Sequence, residues 1–156
     1  MPDWRITATN HTAFTVSDLP RALTFFCDVL GFKATGTTRQ QGDAVAKITG
    51  LPGAVLDIAF VDTPAHRIEL IQYLAPQGQA TLPLRPCDAG CAHVAFEVDD
   101  AEAAVAAIRA AGYLAVSDPQ IVPAGPRKGG KNVYVRGPDG IIVEFQQAPA
   151  RGMSAE

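Results

Sequence analysis

Asn10–Phe32 reads NHTAFTVSDLPRALTFFCDVLGF and Ala92–Tyr113 reads AHVAFEVDDAEAAVAAIRAAGY. These are one pattern written twice. His11 aligns with His93, Phe14 with Phe96, Val16 with Val98 and Asp18 with Asp100, and Gly31 meets Gly112 after a slip of one residue. Self-similarity of this kind marks two copies of one structural unit. The ends of the copies match too. RIELIQYLAP at Arg67–Pro76 parallels IVEFQQAP at Ile142–Pro149, with Glu69 opposite Glu144. Between them, Gln77–Gly90 is rich in Pro, Gly and polar residues and reads as a connector. The chain, residues 1–156, therefore reads as one domain of two tandem modules, at about 6–76 and 90–149.

Each copy opens with strict alternation. Thr12, Phe14 and Val16 share one face of residues 11–16, and His11, Ala13 and Thr15 share the other. Val94, Phe96 and Val98 oppose His93, Ala95 and Glu97 in the same way. The bulky face belongs under a helix, and the face with histidine and small side chains lines a space. The first helix is expected over Pro20–Leu30, with Asp18 as N-cap, Pro20 in the first turn and Gly31 as the stop. The second is expected over Ala101–Ala111, capped by Asp99 or Asp100 and stopped by Gly112. Later strands are expected at 32–39, 55–61, 67–73, 114–116, 132–136 and 141–146, with a short helix over 43–49. Gly137-Pro138-Asp139-Gly140 is the turn joining the last two strands. The fold class is α+β: two tandem βαβββ modules forming a curved mixed sheet around a shared cavity.

The chain has 156 residues, 47% hydrophobic and 19% charged, which fits a globular protein with its own core. Its net charge of −3 argues against nucleic acid as a partner. No apolar stretch reaches the ~20 residues of a membrane span, so no membrane partner is expected. MPDWRITATNH lacks the charged and apolar regions of a signal peptide. Cys27, Cys87 and Cys91 are an odd number without framework spacing, so free thiols and a cytoplasmic location are expected.

Two of the three histidines occupy equivalent repeat positions, and so do Glu69 and Glu144. The Glu69 face of its strand holds Arg67, Ile71 and Tyr73, and the Glu144 face holds Ile142 and Gln146. Both carboxylates interrupt strands that are otherwise apolar. A buried carboxylate is costly unless paired, protonated or bound to metal. Taken alone, a strand histidine is more often structural, and a lone Glu is more often an exposed or ion-paired residue. In register twice, two imidazoles and two carboxylates make a candidate site for one divalent ion, with Ni, Co, Zn, Mn and Fe as candidates.

At these residues the sequence resembles the vicinal-oxygen-chelate superfamily, which includes glyoxalase I, methylmalonyl-CoA epimerase, extradiol dioxygenases and antibiotic-resistance proteins. The resemblance runs from about Ile6 to Gln147 and rests on NHTAFTVSDLPRALTFFCDVLGF, HRIELIQY, AHVAFEVDD and GPDGIIVEF. It implies that His11, Glu69, His93 and Glu144 are metal ligands, in the His, Glu, His, Glu order of nickel-using glyoxalase I. Methylmalonyl-CoA epimerases are similar in length but usually carry Gln where this chain has Glu69. An extradiol dioxygenase would use His11, His93 and Glu144 alone. A fourth ligand closes a position that oxygen chemistry needs. The resemblance also implies a homodimer.

The expected activity is that of a lyase or isomerase. The ion polarises a substrate carbonyl and stabilises the enediolate formed when an α proton leaves. Glu144 is the first choice of base and Glu69 the second. Alternatives are a small-molecule sequestering or resistance protein and an Fe(II) extradiol dioxygenase. Arg127, Lys128 and Lys131, in the Gly/Pro-rich stretch 123–131, are candidates to clamp an anionic substrate group, or else a solvated loop. Arg67 and Tyr73 are candidate substrate contacts from the Glu69 face.

Overall fold

The structure is a computed structural model that describes residues 3–80, 82 and 84–150. The chain divides into two compact units between residues 81 and 82. In the first, β1 (Thr12–Thr15) leads into α1 (Leu19–Leu23) and a π-helical segment (Thr24–Val29). There follow β2 (Lys33–Ala34), β3 (Thr38–Gln41), α2 (Asp43–Thr49), β4 (Val55–Thr63) and β5 (His66–Ala75). The second unit holds β6 (His93–Val98), α3 (Ala101–Ala110), β7 (Leu114–Ala115), β8 (Gln120–Ile121), β9 (Lys131–Arg136) and β10 (Ile142–Gln147).

Each unit has its own five-stranded sheet. The orders are β1-β5-β4-β2, with β3 also on β4, and β6-β10-β9-β7, with β8 also on β9. In each sheet the first strand runs parallel to the last, and the other pairs are antiparallel. The class is α+β, as expected, with one mixed sheet in each of the two modules. The strand expected at 32–39 is two short strands, because the chain leaves the ladder between Ala34 and Thr38. Arg39 then pins β3 to β4 by a two-pronged ion pair with Asp57, opposite it in register (Nε–Oδ1 and Nη2–Oδ2 both 2.8 Å). β8, only two residues long, carries no readable alternation.

The repeat also governs the helix starts. Asp18 Oδ1 accepts from Arg21 N at 2.8 Å, and Asp100 Oδ1 from Ala103 N at 2.9 Å. Gln72 Oε1 accepts from Leu19 N at 2.9 Å, and Gln147 Oε1 from Ala101 N at 3.0 Å. Each last strand thus caps the helix of its own unit through a glutamine three residues after the glutamate. Because strand side chains alternate, that glutamine and the glutamate point to opposite faces.

The helix expected over Pro20–Leu30 widens after Leu23, where Leu30 N bonds Phe25 O instead of the carbonyl four residues back. Consecutive side chains on an α-helix diverge by about 100°, and the wider turn reduces that divergence. Phe25 and Phe26 are both fully buried. Phe26 also stacks on Phe14 of β1 and meets Phe25 edge-on. Phe26→Ala is expected to cost about 3–5 kcal/mol, measured by denaturant unfolding.

Candidate metal centre

In the first unit Ala13 of β1 stands opposite Glu69 of β5. His11 lies two residues before Ala13 on the same face, and the methyl of Ala13 leaves the way to the carboxylate clear. His11 Nε2 lies 3.1 Å from Glu69 Oε2. The second unit repeats this register. Ala95 of β6 is opposite Glu144 of β10, and His93 Nε2 lies 3.2 Å from Glu144 Oε2.

A third residue joins each pair from the neighbouring antiparallel strand. Phe60 of β4 is opposite Glu69, and its ring meets His11 edge-on at 5.7 Å. Tyr134 of β9 is opposite Glu144, and its ring tilts against His93 at 5.2 Å. The two pairs differ in their surroundings. Glu144 is buried at 8% exposure, and Asn132 Nδ2 donates to its Oε1 at 2.9 Å. Glu69 is half-buried. Burial pushes the Tyr134 phenol above its ordinary pKa, with the charges of Glu144 and Cys91 adding to it. It therefore stays a donor at neutral pH.

These donors fit a divalent ion. Two ligand atoms ~2.1 Å from an ion and at right angles lie ~3.0 Å apart, close to both His–Glu distances. The imidazole of His11 is also oriented for it. Asn10 Oδ1 accepts from Nδ1 at 2.7 Å, which puts a proton on Nδ1 and directs Nε2 at the carboxylate. A neutral Nε2 facing a carboxylate oxygen is repelled unless a proton or a cation lies between them. Such hydrogen bonds to a ligand's far nitrogen raise its basicity and fix its tautomer. Asn10 is exposed, so Asn10→Ala is expected to leave the fold intact. It should lower metal affinity by about 10–100-fold, read by competition with a chromophoric chelator.

The structure brings the four expected ligands together as two pairs. Among the described residues no three His, Cys, Asp or Glu side chains are grouped to hold a metal ion. Arg67 donates to Asp62 (2.8 Å) and lies over the Phe60 ring at 5.6 Å. Tyr73 packs against the cluster of Val45, Ala54, Leu56 and Ile58. Arg127 pairs with Glu97 (2.7 Å) and Lys131 with Glu102, while Lys128 is exposed. The three cysteines are free thiols, and no helix of the described residues is long and apolar enough to cross a membrane.

Sequence reasoning missed Asn10, Phe60, Asn132, Tyr134, Gln72 and Gln147. The two glutamines carried a readable signal, since Glu-x-x-Gln occurs in both copies at 69–72 and 144–147. Asn132 and Tyr134 carried none, because the first copy has apolar residues at the matching places.

The family model described as the Glyoxalase/Bleomycin resistance protein/Dioxygenase superfamily matches residues 8–145. Over 148 residues the chain is 34% identical to a 2-epi-5-epi-valiolone epimerase of Actinomyces sp, covering 92% of this chain and 80% of that protein. It is 30% identical over 146 residues to a lactoylglutathione lyase of Salmonella typhimurium, covering 91% and 93%. The crystal structure of a glyoxalase family protein from Bacillus cereus superposes with a TM-score of 0.83 at 24% identity, covering 96% of this chain and 99% of that one.

Proposed function

The chain belongs to the Glyoxalase/Bleomycin resistance protein/Dioxygenase superfamily, and from that premise we propose that it is a divalent-metal-dependent isomerase or lyase that moves a proton at a carbon α to a carbonyl. The observation that carries the reading is the doubled pair. His11 with Glu69 and His93 with Glu144 hold the same register at 3.1 and 3.2 Å. The proposed ligands are His11, Glu69, His93 and Glu144, and the proposed ion is one of Ni, Co, Zn, Mn or Fe. Relatives named as an epimerase and as a lactoylglutathione lyase support the isomerase-or-lyase class.

The ion supplies Lewis-acid polarisation of the substrate carbonyl and its neighbouring oxygen. His11 and His93 contribute neutral Nε2 atoms and hold the ion without adding charge. Glu144, held at Oε1 by Asn132, would take the α proton on Oε2 once that oxygen has loosened from the ion, and return it to the substrate. Glu69 is the second choice for that base. His11, Glu69, His93 and Glu144 would hold the ion, which would then polarise two neighbouring oxygens of the substrate. The same proposal includes a small-molecule substrate, a homodimer and a cytoplasmic location.

Deuterium incorporation at the α carbon tests the reading. Metal-loaded protein in D2O is given the hemithioacetal of methylglyoxal and glutathione, or dihydroxyacetone. Exchange that disappears on chelation and returns with added metal is the expected result. Exchange unaffected by complete metal removal, or its absence with every divalent ion, contradicts the proposal.

A further inference from the structure

The two units share a backbone register but not its chemistry. Thr35 N donates to Phe60 O at 2.8 Å, and Val116 N to Tyr134 O at 2.9 Å, so Thr35 matches Val116 and Phe60 matches Tyr134. One residue further along, Gly36 matches Ser117; two residues before the aromatic, Ile58 matches Asn132. Ser117, Asn132 and Tyr134 all line one cavity of about 300 Å3 in the second unit, together with Val116, Val133 and Glu144. The positions that are glycine, isoleucine and phenylalanine in the first unit are therefore a serine, an asparagine and a tyrosine around the Glu144 cavity.

We infer that this cavity of the second unit takes the hydroxyl-bearing end of an uncharged carbonyl compound, with the Tyr134 hydroxyl donating to a substrate oxygen. The inference rests on the proposed reaction and names the substrate class for it. Among the described residues nothing hydrogen-bonds the Tyr134 hydroxyl, and Asn132 Oδ1 is shielded from water with no donor. A ligand hydroxyl can accept from the phenol, and the Ser117 hydroxyl of the same lining, which donates to Asp118 O, can still accept from a ligand. No Lys or Arg lines the cavity, and Glu144 already places a carboxylate in it. A phosphate or carboxylate there would lie beside that charge with no cation to offset it. Of the cations of the 123–131 loop, Arg127 pairs with Glu97 and Lys131 with Glu102, and none of Arg127, Lys128 and Lys131 lines the cavity.

Dihydroxyacetone and dihydroxyacetone phosphate make a matched pair of probes, with the same reacting centre and different charge. Both are titrated calorimetrically into metal-loaded wild type and Tyr134→Phe, and α-deuterium exchange is followed on the same samples. Phe60 occupies the equivalent place against His11, so the variant keeps its packing. The expected result is that wild type binds dihydroxyacetone more tightly than its phosphate. Tyr134→Phe should weaken dihydroxyacetone about three- to tenfold, the loss of one uncharged hydrogen bond, at unchanged metal content. Equal affinity in the variant, tighter binding of the phosphate, or no binding of either probe overturns the inference. Tyrosine-dependent binding without any exchange leaves the inference standing and removes the proposed reaction. Metal-dependent exchange that ignores the substitution does the reverse.

Discussion

Glu144→Gln is expected to slow metal-dependent α-proton exchange by about 10²–10⁴-fold, the range a positioned general base contributes. The substitution changes little else. The Asn132 amide still finds an oxygen to donate to at 2.9 Å, and the side chain keeps its volume in a site only 8% exposed. An amide cannot accept the proton at neutral pH, and it binds a divalent ion more weakly than a carboxylate. The comparison is therefore made at matched metal content, with exchange followed by NMR. Undiminished exchange would remove Glu144 as the base and leave Glu69 as the remaining candidate. Glu69→Gln discriminates further. If Glu69 is the base instead, Glu69→Gln should show the loss of exchange that Glu144→Gln does not.

His93→Ala is expected to abolish stoichiometric metal binding, and with it any rise in Tm on adding metal. The His93 side chain is 42% exposed, so its loss should change the metal-free stability by no more than about 0.5 kcal/mol. A variant that folds as well as wild type and holds no metal assigns the effect to ligation. Retention of a full equivalent of metal, checked by elemental analysis after dialysis, would remove His93 from the ligand set.

Much of this was legible because the sequence states its pattern twice. The alternation over 93–98 matches β6, and the residues expected as a short helix at 43–49 are α2. The same repeat singled out His11, Glu69, His93 and Glu144, and the parallel register placing an alanine opposite each glutamate explains why they meet in pairs. Features that break the repeat stayed hidden. Tyr134 and Asn132 stand where the first copy has Phe60 and Ile58, so only the register of β9 against β10 reveals them beside Glu144. Arg127 meets Glu97 across 30 residues of sequence, a separation that local pattern does not encode. The widened turn over Thr24–Val29 follows from two adjacent phenylalanines both entering the core, which is decided by packing and not by propensity. Alternation tells which strands are half-buried and says nothing of where one sheet ends and the next begins.

The most direct test of the central claim is the metal content of the whole chain. Protein stripped with chelator is reloaded separately with Ni, Co, Zn, Mn and Fe(II), dialysed and analysed for each element. The account predicts about one equivalent per chain for at least one of these ions, absent from both His11→Ala and His93→Ala. No uptake of any ion, or a full equivalent retained by either variant, would contradict metal binding through these histidines.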